Sequence, residues 1–145
     1  MPREAGRDVA TRPPRPRLDG SVLVVDDEET VGEFMRELLG TWGLSATCTA
    51  RPEEALELVR AEPGRFDVVI TDQSMPRITG LALARGLREI RADLPIILYT
   101  GHGEGLADDD VNAARLCAVM RKPVDPALLS QTLARCLASG PAKQL

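Results

Sequence analysis

Cysteine is scarce in this chain and poorly spaced for metal or framework chemistry. Cys48, Cys117 and Cys136 lie far apart, with no CxxC pair among them. That spacing argues against a zinc site or a disulfide framework, and the expectation is three small buried hydrophobes in a reducing compartment. No stretch approaches the ~20 apolar residues of a membrane span, and no signal-peptide core is visible. Excess positive charge is also missing. A net charge of -4 and a pI near 5.1 leave no basic footprint for nucleic acid, whose phosphates call for clustered Lys and Arg. Gly101, Gly103 and Gly105 form a short glycine cluster, but no GxxxxGK[ST] motif accompanies them, so they do not read as a nucleotide cradle. The chain lacks internal repeats, and the expected context is soluble, cytoplasmic and without membrane contact.

With 145 residues, of which 43% are hydrophobic and 28% charged, the chain is long enough for one good core and short for two. Residues 1–19 read as a flexible linker. Arg3, Arg7, Arg12, Arg15 and Arg17 stand there among Pro2, Pro13, Pro14 and Pro16 without apolar periodicity, and Glu4, Asp8 and Asp19 dilute any reading as a basic nucleic-acid arm. Residues 20–138 form the expected domain, and 139–145 a C-terminal tail.

Inside that domain short apolar runs alternate with helix-period segments. Val22–Val25, Val68–Ile70 and Ile96–Tyr99 are continuously hydrophobic and rich in β-branched residues, as strands covered on both faces must be. Ala46–Thr49 and Ala118–Arg121 are weaker strands. Val31, Phe34, Met35, Leu38, Leu39 and Trp42 form one helical stripe that Gly43 stops. Further helices are expected from Pro52, burying Ala55, Leu58 and Val59; from Gly80 to Ile90; over roughly Asp108–Arg115; and after Asp125, as N-cap, with Leu128, Leu129, Thr132, Leu133, Cys136 and Leu137 on one side. Five β-α units predict an α/β fold with a doubly wound, parallel five-stranded sheet. Right-handed crossovers place its functional loops at the strands' C-terminal edge.

The polar residues collect at that edge. Asp26 and Asp27 end the first strand, Asp72 the third, Thr100 the fourth, and Lys122 the fifth. Adjacent carboxylates at a buried strand end are unfavourable without a compensating cation, and a hard, oxygen-seeking ion such as Mg2+ suits them. Glu28 and Glu29 read instead as acidic residues complementing a helix N-terminus. With a metal present, Asp72 could attack an electrophilic phosphorus while Lys122 and the Thr100 hydroxyl hold the phosphoryl oxygens.

The segments VLVVDDEE, FDVVITDQSMPRITG, LPIILYTG and RKP resemble, in order, those of response-regulator receiver domains, from about Ser21 to Leu137. The resemblance implies a flavodoxin-like (βα)5 fold of strand order 2-1-3-4-5, in which Asp72 accepts phosphate from a histidine kinase or histidine phosphotransfer domain. It implies Mg2+ held by Asp27 directly, by Asp26 mainly through water, by Asp72, and by the main-chain carbonyl of Ser74. Lys122 would contact the phosphoryl group and steady Asp72, across a bond to Pro123 that is commonly cis. Thr100 would be the switch hydroxyl. The output surface would be the fourth helix, fifth strand and fifth helix, which also offers a route to a homodimer.

The chain departs from the family pattern at Val119, where an aromatic is frequent, and at Arg115, where a glycine commonly ends the fourth helix. Ser74 and His102 occupy positions that influence phosphate lifetime in the family. His102 is the single histidine, so the chain holds no good phosphodonor of its own. The activity expected is self-catalysed phosphoacceptance with slow autodephosphorylation, not conventional turnover. No DNA-binding module is expected after Leu137, and the basic, proline-rich lead resembles the connector before the C-terminal receiver of hybrid sensor kinases. Two other readings stay open on sequence: a non-phosphorylated docking module, and an aspartyl-nucleophile phosphatase, which would normally want a DxD motif and a capping insertion.

Overall fold

A computed structural model of the chain describes residues 17–101 and 106–138. Strand β1 (Ser21–Val25) is followed by α1 (Glu29–Thr41), β2 (Ser45–Thr49), α2 (Pro52–Ala61), β3 (Val68–Asp72), α3 (Gly80–Ile90), β4 (Ile96–Thr100), α4 (Asp108–Ala114), β5 (Ala118–Arg121) and α5 (Pro126–Ala138). All strand pairs are parallel, in the order β2-β1-β3-β4-β5. This is the expected flavodoxin-like arrangement.

Strand alternation divides the core into two layers. Val22, Val24, Val68, Ile70 and Ile97 face Met35 and Leu39 of α1 and Leu129 and Leu133 of α5. Leu23, Val25, Val69, Ile96 and Leu98 face Ala55 and Val59 of α2, Leu83 and Leu87 of α3, and Ala114 of α4. Every one of these strand side chains is essentially inaccessible, which is why β1, β3 and β4 read as unbroken apolar runs.

The helix ends follow local chemistry. Gly43, at φ 97°, closes α1, and a Cβ there would lie 2.6 Å from the Leu18 carbonyl oxygen. The Thr79 hydroxyl accepts from the Ala82 N–H and caps α3, while an Asp125 carboxylate oxygen accepts from the Ala127 N–H at 3.1 Å ahead of α5.

Four expectations change. Leu18 donates its N–H to the Trp42 carbonyl at 2.7 Å and packs on the core, so the packed chain begins ahead of residue 20; residues 1–16 of the expected linker and the 139–145 tail lie outside the described residues. Phe34 is 54% exposed, and Gly32, against Cys48 of β2, takes its place on the inner face of α1. Leu128 is 50% exposed, with Ser130 turned inward instead. Finally, Cys117 and Cys136 form a disulfide between the approach to β5 and α5, their Cα atoms 6.1 Å apart, and only Cys48 is a free thiol. A separation of 19 residues hides this pair in the sequence; it forms because α5 folds back across β5.

Candidate functional site

Strands β1, β3 and β4 end side by side, so parallel pairing carries Asp26, Asp72 and Thr100 to one edge. Asp26 and Asp72 are each 2% exposed, whereas Asp27, one residue beyond the strand, stands in solvent. One carboxylate oxygen from each of the three can be chosen so that all lie within 4.8 Å of one another. Three hard oxygen donors at that spacing fit a small divalent cation, and two are too buried for water alone to screen their repulsion.

Lys122 approaches from β5. Its Nζ lies 2.9 Å from Asp72 Oδ1, and the ion pair is one-sided in exposure, the lysine 31% open and the aspartate 3%. The Lys122 N–H donates to the Thr100 carbonyl at 2.8 Å, and the Lys122–Pro123 bond is cis. The Ser74 N–H donates to Asp72 Oδ1 at 3.4 Å. Thr100 is buried at the end of β4, beside this pair. The structure therefore gathers Asp26, Asp27, Asp72 and Lys122 into one cluster, with Thr100 and Ser74 bordering it. His102, Gly103 and Gly105 lie outside the described residues.

The loop after Asp72 is held on three sides. The Gly80 N–H donates to the Gln73 carbonyl at 3.1 Å, and the Leu81 N–H donates to Gln73 Oε1 at 2.8 Å, tying the start of α3 to the strand tip. Gly80 itself has no room for a side chain, because a Cβ would fall 2.2 Å from the Asp72 carbonyl oxygen and 2.5 Å from Leu98 Cδ1. Arg77, at φ 73°, reaches Glu53 on α2 at 2.9 Å.

Tyr99 is the residue that sequence reasoning missed. Read only as a strand residue, it sends its side chain beneath the end of β3 and donates its hydroxyl to Asp26 Oδ2. Burial, reinforced by the Asp26 carboxylate, pushes the Tyr99 phenol far above its usual range and keeps it a donor. Asp26 Oδ1 accepts from the Glu28 N–H at 2.8 Å. Burial raises the Asp26 carboxyl pKa, and these two hydrogen bonds pull the other way. The Lys122 Nζ sits 5.1 Å from the centroid of the Tyr99 ring. A lone tyrosine one residue before a strand-end threonine, among aliphatic neighbours, was the available signal.

A family model described as the response regulator receiver domain matches residues 22–134. A response regulator receiver protein of Anaeromyxobacter sp. (strain Fw109-5) is 37% identical over 105 residues, 70% of this chain and 42% of that protein. The response regulator MprA of Mycolicibacterium vanbaalenii is 40% identical over 79 residues, 54% of this chain and 33% of that protein. The chain thus spans less than half the length of these relatives. Among solved structures, a receiver domain protein from Clostridium thermocellum superposes with a TM-score of 0.74 at 29% identity, covering 81% of this chain and 93% of that one. FixJ-N gives 0.74 at 27% identity, covering 84% and 96%.

Proposed function

This chain belongs to the response regulator receiver family, and from that premise we propose that Asp72 is its phosphoacceptor, loaded from a phosphohistidine with Mg2+ held among Asp26, Asp27 and Asp72. Receiver domains are the phosphoacceptors of two-component signalling, not classical enzymes, and they work with histidine kinases or phosphotransfer proteins. The observation that carries the assignment is the one-sided ion pair. Lys122 Nζ lies 2.9 Å from Asp72 Oδ1 at the point where the acidic oxygens converge.

In this reading one Asp72 oxygen attacks phosphorus, the P–N bond to the donor imidazole breaks, and its electron pair returns to the ring nitrogen. Lys122 follows the charge from the Asp72 carboxylate onto the phosphoryl oxygens, a shift its flexible stem allows. The Thr100 hydroxyl, at the neighbouring strand end, takes a further phosphoryl oxygen and serves as the switch. The three carboxylates and the Ser74 carbonyl would hold a Mg2+ ion, which when bound would supply the charge that offsets repulsion between the acidic edge and the incoming phosphoryl group. Water then removes the phosphoryl group slowly. Partner exchange is assigned to the α4-β5-α5 surface, where Val119 is 43% exposed and Leu128 50%. A homodimer through that face and a cytoplasmic setting belong to the same proposal.

The test is incubation with acetyl phosphate and Mg2+, followed by intact-mass measurement. One phosphoryl group per chain is expected, absent in Asp72→Asn and absent with excess chelator. No uptake by the unsubstituted chain would make it a docking module, and rapid multiple turnover a phosphatase.

A further inference from the structure

Asp26 and Tyr99 come from strands that do not touch. In the order β2-β1-β3-β4-β5, strand β3 lies between β1 and β4, so the two backbones stand two strand spacings apart, roughly 9.5 Å. A side chain crossing that gap under the phosphoacceptor strand needs a rigid body and a polar tip. Tyrosine supplies both. The tip donates to Asp26 Oδ2 while the Glu28 N–H fills Oδ1, so both oxygens of this carboxylate are addressed by the protein. The ring face lies under the Lys122 ammonium, which pairs with Asp72.

We propose that Tyr99 is a positioning residue that fixes the metal-side carboxylate Asp26 through its hydroxyl and the phosphoryl-side ammonium of Lys122 through its ring, so that one side chain sets the spacing between the two halves of the site. The inference rests on the acidic cluster being the cation site. Its two parts are separable. Without the Tyr99 hydroxyl Asp26 would keep only the Glu28 N–H on Oδ1, leaving Oδ2 unanchored, and a carboxylate pinned at both oxygens binds a cation without first losing rotational freedom. A cation over a ring face is held weakly, enough to bias a flexible lysine stem without locking it.

Two variants divide the roles. Tyr99→Phe deletes the hydroxyl and keeps the ring; Tyr99→Leu deletes both and retains an apolar filler. Calorimetric titration with MgCl2 should show Tyr99→Phe binding about five- to tenfold more weakly than the unsubstituted protein, with the acetyl phosphate uptake rate at saturating Mg2+ within about twofold. Tyr99→Leu should lose uptake rate even at saturating Mg2+. In an Asp26→Asn background, Tyr99→Phe should change Mg2+ affinity by less than twofold, an outcome that a loss of general packing would not give. Tyr99→Phe is the deciding variant, since the ring it keeps fills the core. Unchanged Mg2+ affinity in Tyr99→Phe, or an equal loss with and without Asp26, overturns the proposal while leaving the cation site intact. Absence of Mg2+ binding by the unsubstituted protein, where Asp27→Asn serves as the negative control, overturns both.

Discussion

At Gly80 the absence of a side chain decides where Asp72 sits. An added methyl group would meet the Asp72 carbonyl oxygen at 2.2 Å, and a backbone atom cannot swing aside as a flexible side chain could. Gly80→Ala must therefore push α3 away from β3 or displace Asp72. Forced overpacking of this kind typically costs about 1–3 kcal/mol. The expected outcome is a lower unfolding midpoint together with slower acetyl phosphate uptake; a variant matching the parent in both would show that the contact yields freely. The sequence marks Gly80 only as the first residue of a helix, because the distance to Asp72 exists only once α3 has docked. Asp26, Asp27, Asp72 and Lys122 were legible for the opposite reason. Each ends an apolar run, and parallel strands must bring such ends to one edge. Tyr99 was not legible, since a strand tyrosine is ordinarily core and its partner lies two strands away.

Among the elements, the short helix α4 carries the clearest local conflict. Arg115 sits at its C-cap with φ 54° and ψ 52°, the left-handed region where the family commonly has glycine. Arg88 of α3 answers the exposed helix end, donating to the Arg115 carbonyl at 2.9 Å and to the Ala114 carbonyl at 3.4 Å. Burial lowers the Arg88 pKa, and the neighbouring Arg115 charge adds to the effect. Arg115→Gly removes both the backbone penalty and the like charge. A gain of about 0.5–1 kcal/mol is expected after the extra freedom glycine has when unfolded, raising the midpoint by roughly 2–4 °C. A lowered midpoint would mean that the Arg115 side chain does more than tolerate its position. The Cys117–Cys136 link acts on the next element. Closing a loop with a sequence separation of 19 contributes about 3 kcal/mol in the chain-entropy account, so reductant, or Cys117→Ser, should lower the midpoint by roughly 10 °C. A reducing compartment would open the pair, and the same measurement with and without dithiothreitol gives the difference between the two forms. Helix α3 was readable at about Gly80 to Ile90, and the structure places it there with Thr79 capping its start. The inner faces of α1 and α5 were not. Each has more apolar residues than it can bury, and which one turns outward, Phe34 or Leu128, depends on what the sheet beneath presents.

Taken whole, the described residues stack two apolar layers on a sheet whose C-terminal edge gathers the carboxylates of Asp26, Asp27 and Asp72. Lys122 pairs with Asp72 and its charge also acts on Asp26, yet the chain carries a net charge of -4. Folding therefore holds together groups that an unfolded chain would let drift apart, at some loss of stability. A cation that binds only the assembled edge should return it. Linkage gives the size: at a free Mg2+ concentration one hundred times its dissociation constant, the folded state gains about 2.7 kcal/mol. For a domain of this size that raises the unfolding midpoint by roughly 10 °C. The rise should follow the binding isotherm measured by calorimetry, and it should vanish in Asp27→Asn, whose side chain is exposed and whose replacement disturbs little packing. Sodium chloride at matched ionic strength separates specific binding from screening, because screening acts on the net charge and would persist in Asp27→Asn. An equal rise in both proteins would mean that Mg2+ relieves the overall charge and does not depend on the meeting of Asp26, Asp27 and Asp72 at the strand ends.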